Sequence, residues 1–359
     1  MKQVFAVIFL IALGACSNSQ NTSSPAPALQ PFAAVRHANA TVYVAEVCER
    51  KNDKCAFPNG LIETLDGTTI ADGILDPWSL AFDGNGNLYA GSQNGSSPAG
   101  FVTEYAPGAT SPSRTIDVSG TPRGLAVDAS NDLYVVGNVK AGCCSFQGFG
   151  AVYGPNGKKR LQKLTGVASF PGRPAFDAQG NLYVPNFDTF PGDVVVYAPG
   201  AKKPARAIQS GIGFPKVVAF DSSRNLYVLN NTFTFGSNVT VYAAGTGNLI
   251  RTIANGMKNA YAMAIDSHDN VYVANDAAKG VTNQVLVYAA GTTSPSRSIV
   301  DGVKYPIGLA FDASGNLYVA NAPKRGKNTV TVYPPGASDP SNTYILKESP
   351  TAIAVPPAE

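Results

Sequence analysis

Histidine is scarce in this chain of 359 residues: there are two, beside one tryptophan, and only 14% of the residues are charged. His37 precedes the first strand signal and His268 falls inside a short turn, so imidazole has few places to serve as a base or a metal ligand. No Ser-His-Asp set, His-rich metal motif or phosphate-cradling glycine loop is present. Basic and acidic side chains nearly balance, 27 against 24, and a net charge of +3 is too small to point to nucleic acid. No segment keeps an apolar helical period, and no apolar run is long enough to cross a bilayer.

What is abundant is turn chemistry, with 36 glycines and 26 prolines. Between the turns one strand pattern, N-L-Y-V or a near variant, recurs along the whole chain. Its tyrosines are Tyr43, Tyr89, Tyr134, Tyr183, Tyr227, Tyr272 and Tyr318, spaced 44 to 49 residues apart. A period of that length containing several short strands predicts an all-β propeller with one blade per repeat. The sixth complete copy shows the unit. Ile307–Asp312 reads as strand a, Asn316–Asn321 as strand b, Thr329–Tyr333 as strand c and Thr343–Leu346 as strand d. Strand a carries small residues (Ala81, Ala126, Ala175, Ala219, Ala264 and Ala310), as an innermost strand crowded around an axis requires. Asp312 to Asn316 forms a tight a-to-b turn with Gly315 free to take positive φ. The related turn Asp83-Gly-Asn-Gly-Asn87 starts like a calcium loop but lacks the closing glutamate, so it is read as a turn.

The ends set the blade count. Thr351–Val355 matches strand a only, whereas Thr41–Ala45, Leu61–Leu65 and Thr68–Ala71 match strands b, c and d. The two termini therefore complete a seventh blade between them. A six-bladed ring is the alternative and would orphan these end strands.

The repeat, Gly308 to Asp312 followed by Gly315 to Asn321, resembles the NHL-type repeat over about residues 36 to 355. More loosely it resembles regucalcin-like and virginiamycin B lyase-like propellers. The resemblance implies a propeller and says almost nothing about activity. The lyases use a histidine on the active face, and no position here matches it.

Residues 1–15 read as a lipoprotein signal peptide, with Lys2, an apolar run from Val4 to Leu13, and Leu13-Gly14-Ala15-Cys16, which resembles a bacterial lipobox with lipidation at Cys16. Ser17, not Asp, follows the cysteine, which resembles an outer-membrane address if the cell is Gram-negative. Residues 16–35 are a Ser/Pro/Ala tether without an apolar period. Residues 36–359 form the propeller. Four cysteines remain. Cys48 and Cys55 bracket one loop and are expected to form a disulfide. The adjacent Cys143 and Cys144 stay open between a vicinal disulfide, free thiols and a soft-metal site.

Strand direction puts the a-to-b and c-to-d connections on one face and the diverse b-to-c and d-to-a loops on the other, the variable face, where binding is expected. Candidate binding residues there are Lys140, Phe146, Phe187, Phe190, Phe233, Phe235, Lys279, Lys324, Arg325 and Lys327. Arg123, Arg173, Lys216, Lys258 and Lys304 come from the d-to-a loops. Asn186, Asn230, Asn275 and Asn321 end strand b and are expected to bond local backbone. Trp78 opens strand a of the first complete blade, where packing is its expected role. The expected function is a binding or scaffolding module of the bacterial cell envelope, held to a membrane by its lipid and engaging an envelope protein or glycan. No catalytic residue, metal or cofactor is assigned. The alternative is a metal-dependent lactonase-like or lyase-like enzyme with its site at the axial channel.

Overall fold

Strands a, b and c are apolar at nearly every position because both faces of each sheet are covered. Cross-strand pairs alternate between the two neighbouring blades. Leu80, Phe82, Leu88 and Ala90 pack toward Tyr43, Ala45 and Ile62 of the preceding sheet. Ala81 and Tyr89 pack toward Leu125, Leu133 and Val135 of the following one. The computed structural model describes residues 9–10, 41–48, 59–94, 99–141, 145–157, 159–188, 191–232, 236–276 and 282–357. Among them there is no helix, and seven antiparallel sheets make a seven-bladed propeller.

Blade 1 consists of Pro77–Phe82, Leu88–Gln93, Gly100–Tyr105 and Arg114–Val118, strands a to d in order. Blade 6 repeats it with Pro306–Phe311, Leu317–Asn321, Thr329–Tyr333 and Asn342–Ile345. Blade 7 is assembled from both ends of the chain. Ser349–Ala354 is its strand a, and Tyr43–Val47, Leu61–Thr64 and Thr69–Ile70 are b, c and d. The antiparallel register Tyr43↔Ala354, Val44↔Ile353 and Ala45↔Ala352 closes the ring, and no described blade is left with an open flank. Phe9–Leu10, inside the segment read as a signal peptide, lies parallel to Ala352 and Ile353 near strand a of blades 1, 5 and 6, hence in the axial channel.

Three recurring side-chain devices hold the repeat. In blade 6 the Asp312 carboxylate accepts the Ser314 and Asn316 N–H groups (3.0 and 2.8 Å), the Asn316 side-chain amide and the Tyr318 hydroxyl (3.0 Å). That network accounts for the D-x-x-x-N-L-Y signature, and the Asp83 turn repeats it. The last tyrosine of strand c donates to a carbonyl of the preceding blade's d-to-a loop, as in Tyr333 to Asp301 (2.5 Å), Tyr288 to Asn255 (2.6 Å) and Tyr105 to Asp72 (2.6 Å). At the end of strand b, Asn321 Oδ1 accepts from Lys304 N–H (2.9 Å) while its amide donates to the Gly302 carbonyl (3.3 Å). Asn186, Asn230 and Asn275 latch the incoming d-to-a loop in the same manner.

Candidate functional site

The innermost strand of each blade runs from the variable face to the Asp turn. In six blades its second or third residue is a β-bulge, one extra residue opposite strand b. The register steps from Pro77 to Ser79, Pro122 to Gly124, Pro215 to Val217, Ala260 to Ala262, Pro306 to Gly308 and Pro350 to Ala352. The skipped residues are Trp78, Arg123, Lys216, Tyr261, Ile307 and Thr351. A bulge turns a side chain away from the alternating pleat. Trp78, Arg123, Lys216 and Tyr261 at this position stay partly exposed at the variable-face end of the innermost strand, whereas Ile307 and Thr351 are buried.

Blade 3 departs from the pattern. Its strand a is broken into Phe170–Pro171 and Ala175–Phe176, because Pro174 has no N–H to give strand b. Gly172 N–H donates to the Pro185 carbonyl (2.7 Å), and Arg173 N–H donates to the Lys216 carbonyl of blade 4 (3.0 Å). Arg173 is 4% exposed at this seam, and burial pushes its pKa well down.

Taken around the axis from blade 1 to blade 5, the sequence is Trp78, Arg123, Gly172, Lys216, Tyr261: a cationic arc with an aromatic residue at each end. The Arg123 guanidinium lies over the Trp78 ring, 4.7 Å from its centroid, and its Nε donates to Asn138 Oδ1 (3.4 Å). Lys216 Nζ lies 4.9 Å from the Phe187 centroid. Burial lowers the Lys216 pKa most, and the positive charge of Arg123 lowers it further, to about 8. Burial alone lowers Arg123 to about 10. Arg123 and Lys216 belong to blades 2 and 4, on either side of the broken innermost strand of blade 3. On the other side the Tyr261 and Tyr305 hydroxyls are 3.3 Å apart, and Asn259 Nδ2 donates to Tyr261 (3.0 Å).

An aromatic string leads outward from this arc. Phe214 is 4.4 Å from Phe187, Phe187 is 6.0 Å from Phe170, and Phe170 is 5.3 Å from Phe146. Phe146 and Phe170 are 40% and 38% exposed, which leaves two large apolar faces open to solvent. Of the candidates read from sequence, Phe146 and Phe187 belong to this string, and Lys140 is exposed and paired in register with Phe146. Lys324 lies 5.9 Å over the Tyr305 ring, and Arg325 and Lys327 are exposed beside it. Phe190, Phe233, Phe235, Lys279, Cys16, Cys55, Cys143 and Cys144 lie outside the described residues.

Sequence reasoning missed Trp78, Tyr261, Tyr305, Phe170 and Phe214 as site residues. Their signal was available in the alignment of the copies, where the two positions that flank the proline at the start of strand a (Ala260 in blade 5) vary in chemistry: Phe170, Phe214 and Tyr305 precede it, and Trp78 and Tyr261 follow it. His268 is exposed, in the Asp266 turn on the uniform face. Among the described residues no three of His, Cys, Asp and Glu come together in a way that would hold a metal.

No family model matches the chain, and no curated protein matches it. Among solved structures a chain of Kuenenia stuttgartiensis hydrazine synthase is similar, with a TM-score of 0.57 over 71% of this chain and 76% of that one, at 16% identity. At that identity the likeness speaks for the fold alone: the chain is a seven-bladed β-propeller whose bulged inner strands present aromatic and cationic side chains at one mouth of its channel.

Proposed function

We propose that this protein is a lipid-anchored binding module of the bacterial cell envelope. It engages an envelope partner, a glycan ahead of a protein, through the variable face. The observation that carries this reading is the convergence of Trp78, Arg123, Lys216 and Tyr261 on one channel mouth, each delivered by the same bulge in a different blade. A rigid frame with varied residues at equivalent positions suits recognition, and aromatic rings beside fixed polar groups suit a ligand with both apolar and hydroxylated faces. We place the repeat nearest the NHL type on the motif Gly308 to Asp312 and Gly315 to Asn321. In this reading Cys16 carries the lipid, residues 16–35 hold the propeller off the membrane, and a Cys48–Cys55 disulfide ties the first b-to-c loop. The membrane is the outer one if the cell is Gram-negative.

Envelope polysaccharide passed over the immobilised mature domain tests the binding reading. Wild type should retain it. A Trp78→Ala, Tyr261→Ala double variant with an unchanged melt should not, and equal retention by both would overturn the assignment of this mouth. Mass spectrometry of the mature N-terminus should find lipid on Cys16, and an unmodified start at another residue would remove the anchor. Peptide mapping without reductant should return Cys48 joined to Cys55.

A further inference from the structure

We infer that the variable-face mouth of the channel is a seat for a negatively charged group, a carboxylate or a phosphate or sulfate ester, carried on a saccharide. This rests on the binding reading above and narrows it to a ligand class. Two half-buried cations, Arg123 and Lys216, come from matching bulges of blades 2 and 4 on either side of blade 3, whose Gly172 touches both flanking strands: a Cβ on Gly124 would lie 2.8 Å from the Gly172 carbonyl oxygen, and one on Gly172 2.4 Å from the Lys216 carbonyl oxygen. The innermost strand of blade 3, which lies between them, contributes Gly172 at the matching place and so no side chain. Each cation lies over an aromatic ring, Trp78 or Phe187, which holds its orientation. Like charges held close and partly out of water oppose one another, and an anion placed between them relieves that opposition through charge-assisted hydrogen bonds.

A second observation points the same way. Asn138, 2% exposed, accepts from Arg123 Nε, and its own Nδ2 is a buried donor without a hydrogen-bond partner among the described residues. Trp78 Nε1 is in the same position. Both orphaned groups are N–H donors beside Arg123, which is the polarity an oxyanion satisfies. The saccharide part follows from the ends of the arc. The flat faces of Trp78 and Tyr261 can cover the apolar face of a sugar ring, while Tyr261, Tyr305 and Asn259 supply neutral hydroxyl and amide partners.

Calorimetric titration of the mature protein at low salt with glucuronate, glucose and inorganic phosphate tests the inference. Glucuronate should bind roughly tenfold or more tightly than glucose. Lys216→Met and Arg123→Met should each abolish that preference while leaving weak binding of glucose. Lys216→Met should melt at the same or a higher temperature without ligand, because it removes one of two opposed charges. That variant carries the test if Arg123→Met does not fold. Equal affinity for glucuronate and glucose, or a preference that survives both substitutions, overturns the charged seat and leaves the binding reading intact. Phosphate binding without a glucuronate preference overturns the saccharide assignment. Failure of all three probes with wild type overturns the inference, while retention of envelope polysaccharide tests the binding reading separately.

Discussion

Glu46 stands in blade 7 where blades 3 to 6 carry the latching asparagine, and it does the same work with a group that can ionise. Its Oε2 accepts the Glu348 N–H (2.6 Å), as Asn321 accepts from Lys304. An asparagine amide also donates, and a carboxyl group donates only when protonated. Glu46 is fully buried beside Glu63, which is itself ion-paired to Lys347 (2.6 Å). Burial is the main cause that raises the Glu46 pKa, and Glu63 adds to it, bringing it to about 9. The folded state thus holds a proton that the unfolded chain releases near pH 4.5. The corresponding stability is fully present below that pH and is lost as pH rises toward and through about 9. Lys216 has the opposite slope. Its lowered pKa penalises the fold below about pH 8 and releases the penalty as the pH climbs above that. The clean measurement is therefore a difference: between pH 5 and pH 9.5 the melting temperature of wild type should fall further than that of Glu46→Gln. Parallel pH profiles for the two proteins would refute the buried proton.

Among the elements, strand a of blade 3 is the one whose local rules conflict with the repeat. Gly-Arg-Pro stands where blades 2 and 6 have Arg-Gly-Leu and Ile-Gly-Leu, and the strand opens between Pro171 and Ala175. Arg173 then pairs with Val217 of blade 4 as a parallel bridge, so the break in one blade becomes a backbone link to the next. Gly172 permits that approach. A Cβ at this place would sit 2.4 Å from the Lys216 carbonyl oxygen and 3.0 Å from Pro185 Cβ, both parts of the frame that cannot swing aside. Gly172→Ala should destabilise the protein by about 1–3 kcal/mol, the usual range for an overpacked site. It should also weaken ligand retention more than an equally destabilising change on the uniform face, because the atom displaced belongs to Lys216. Retention that merely tracks stability across both variants would show that the seam and the mouth are independent.

For the whole molecule, closure is the weak point and the control point. Within blade 7 the innermost strand pairs across the two ends of the chain, through Tyr43↔Ala354 and its neighbours, Thr351 Oγ1 to the Ala45 carbonyl (3.1 Å) and Lys347 to Glu63, and Thr351 also reaches the Pro77 carbonyl of blade 1 (2.7 Å). Deleting residues 349 to 359 removes that strand with its buried Ile353 and uncovers the apolar side chains that Ile353 packs on. Several kcal/mol should be lost, a large share of the roughly 5–15 kcal/mol that a folded domain commonly has. Denaturant unfolding of the truncated chain would measure it, and a midpoint equal to that of the full chain would mean that the ring does not depend on this closure.

The sequence alone determined the strand content, the period, the number of blades and the split of blade 7. Each depends on patterns local to one repeat: an Asp turn, a tyrosine that reaches back to it, a small residue near the axis. It also assigned Phe146, Phe187 and the rim lysines to the variable face, since strand direction follows from turn order. The strand-b asparagines read from sequence as bonding local backbone, whereas the backbone N–H groups they accept from lie 17 or 18 residues back, in the d-to-a loop on the far side of strand a. The mouth itself was decided by tertiary structure. Trp78, Arg123, Lys216 and Tyr261 are separated by 45, 93 and 45 residues, and nothing in any one repeat says that its bulge residue meets the others. Only ring closure brings those positions around one axis, where each stays partly exposed at its bulge. The proton on Glu46 has the same origin: a glutamate in a strand reads as a solvated charge until the two ends of the chain fold over it.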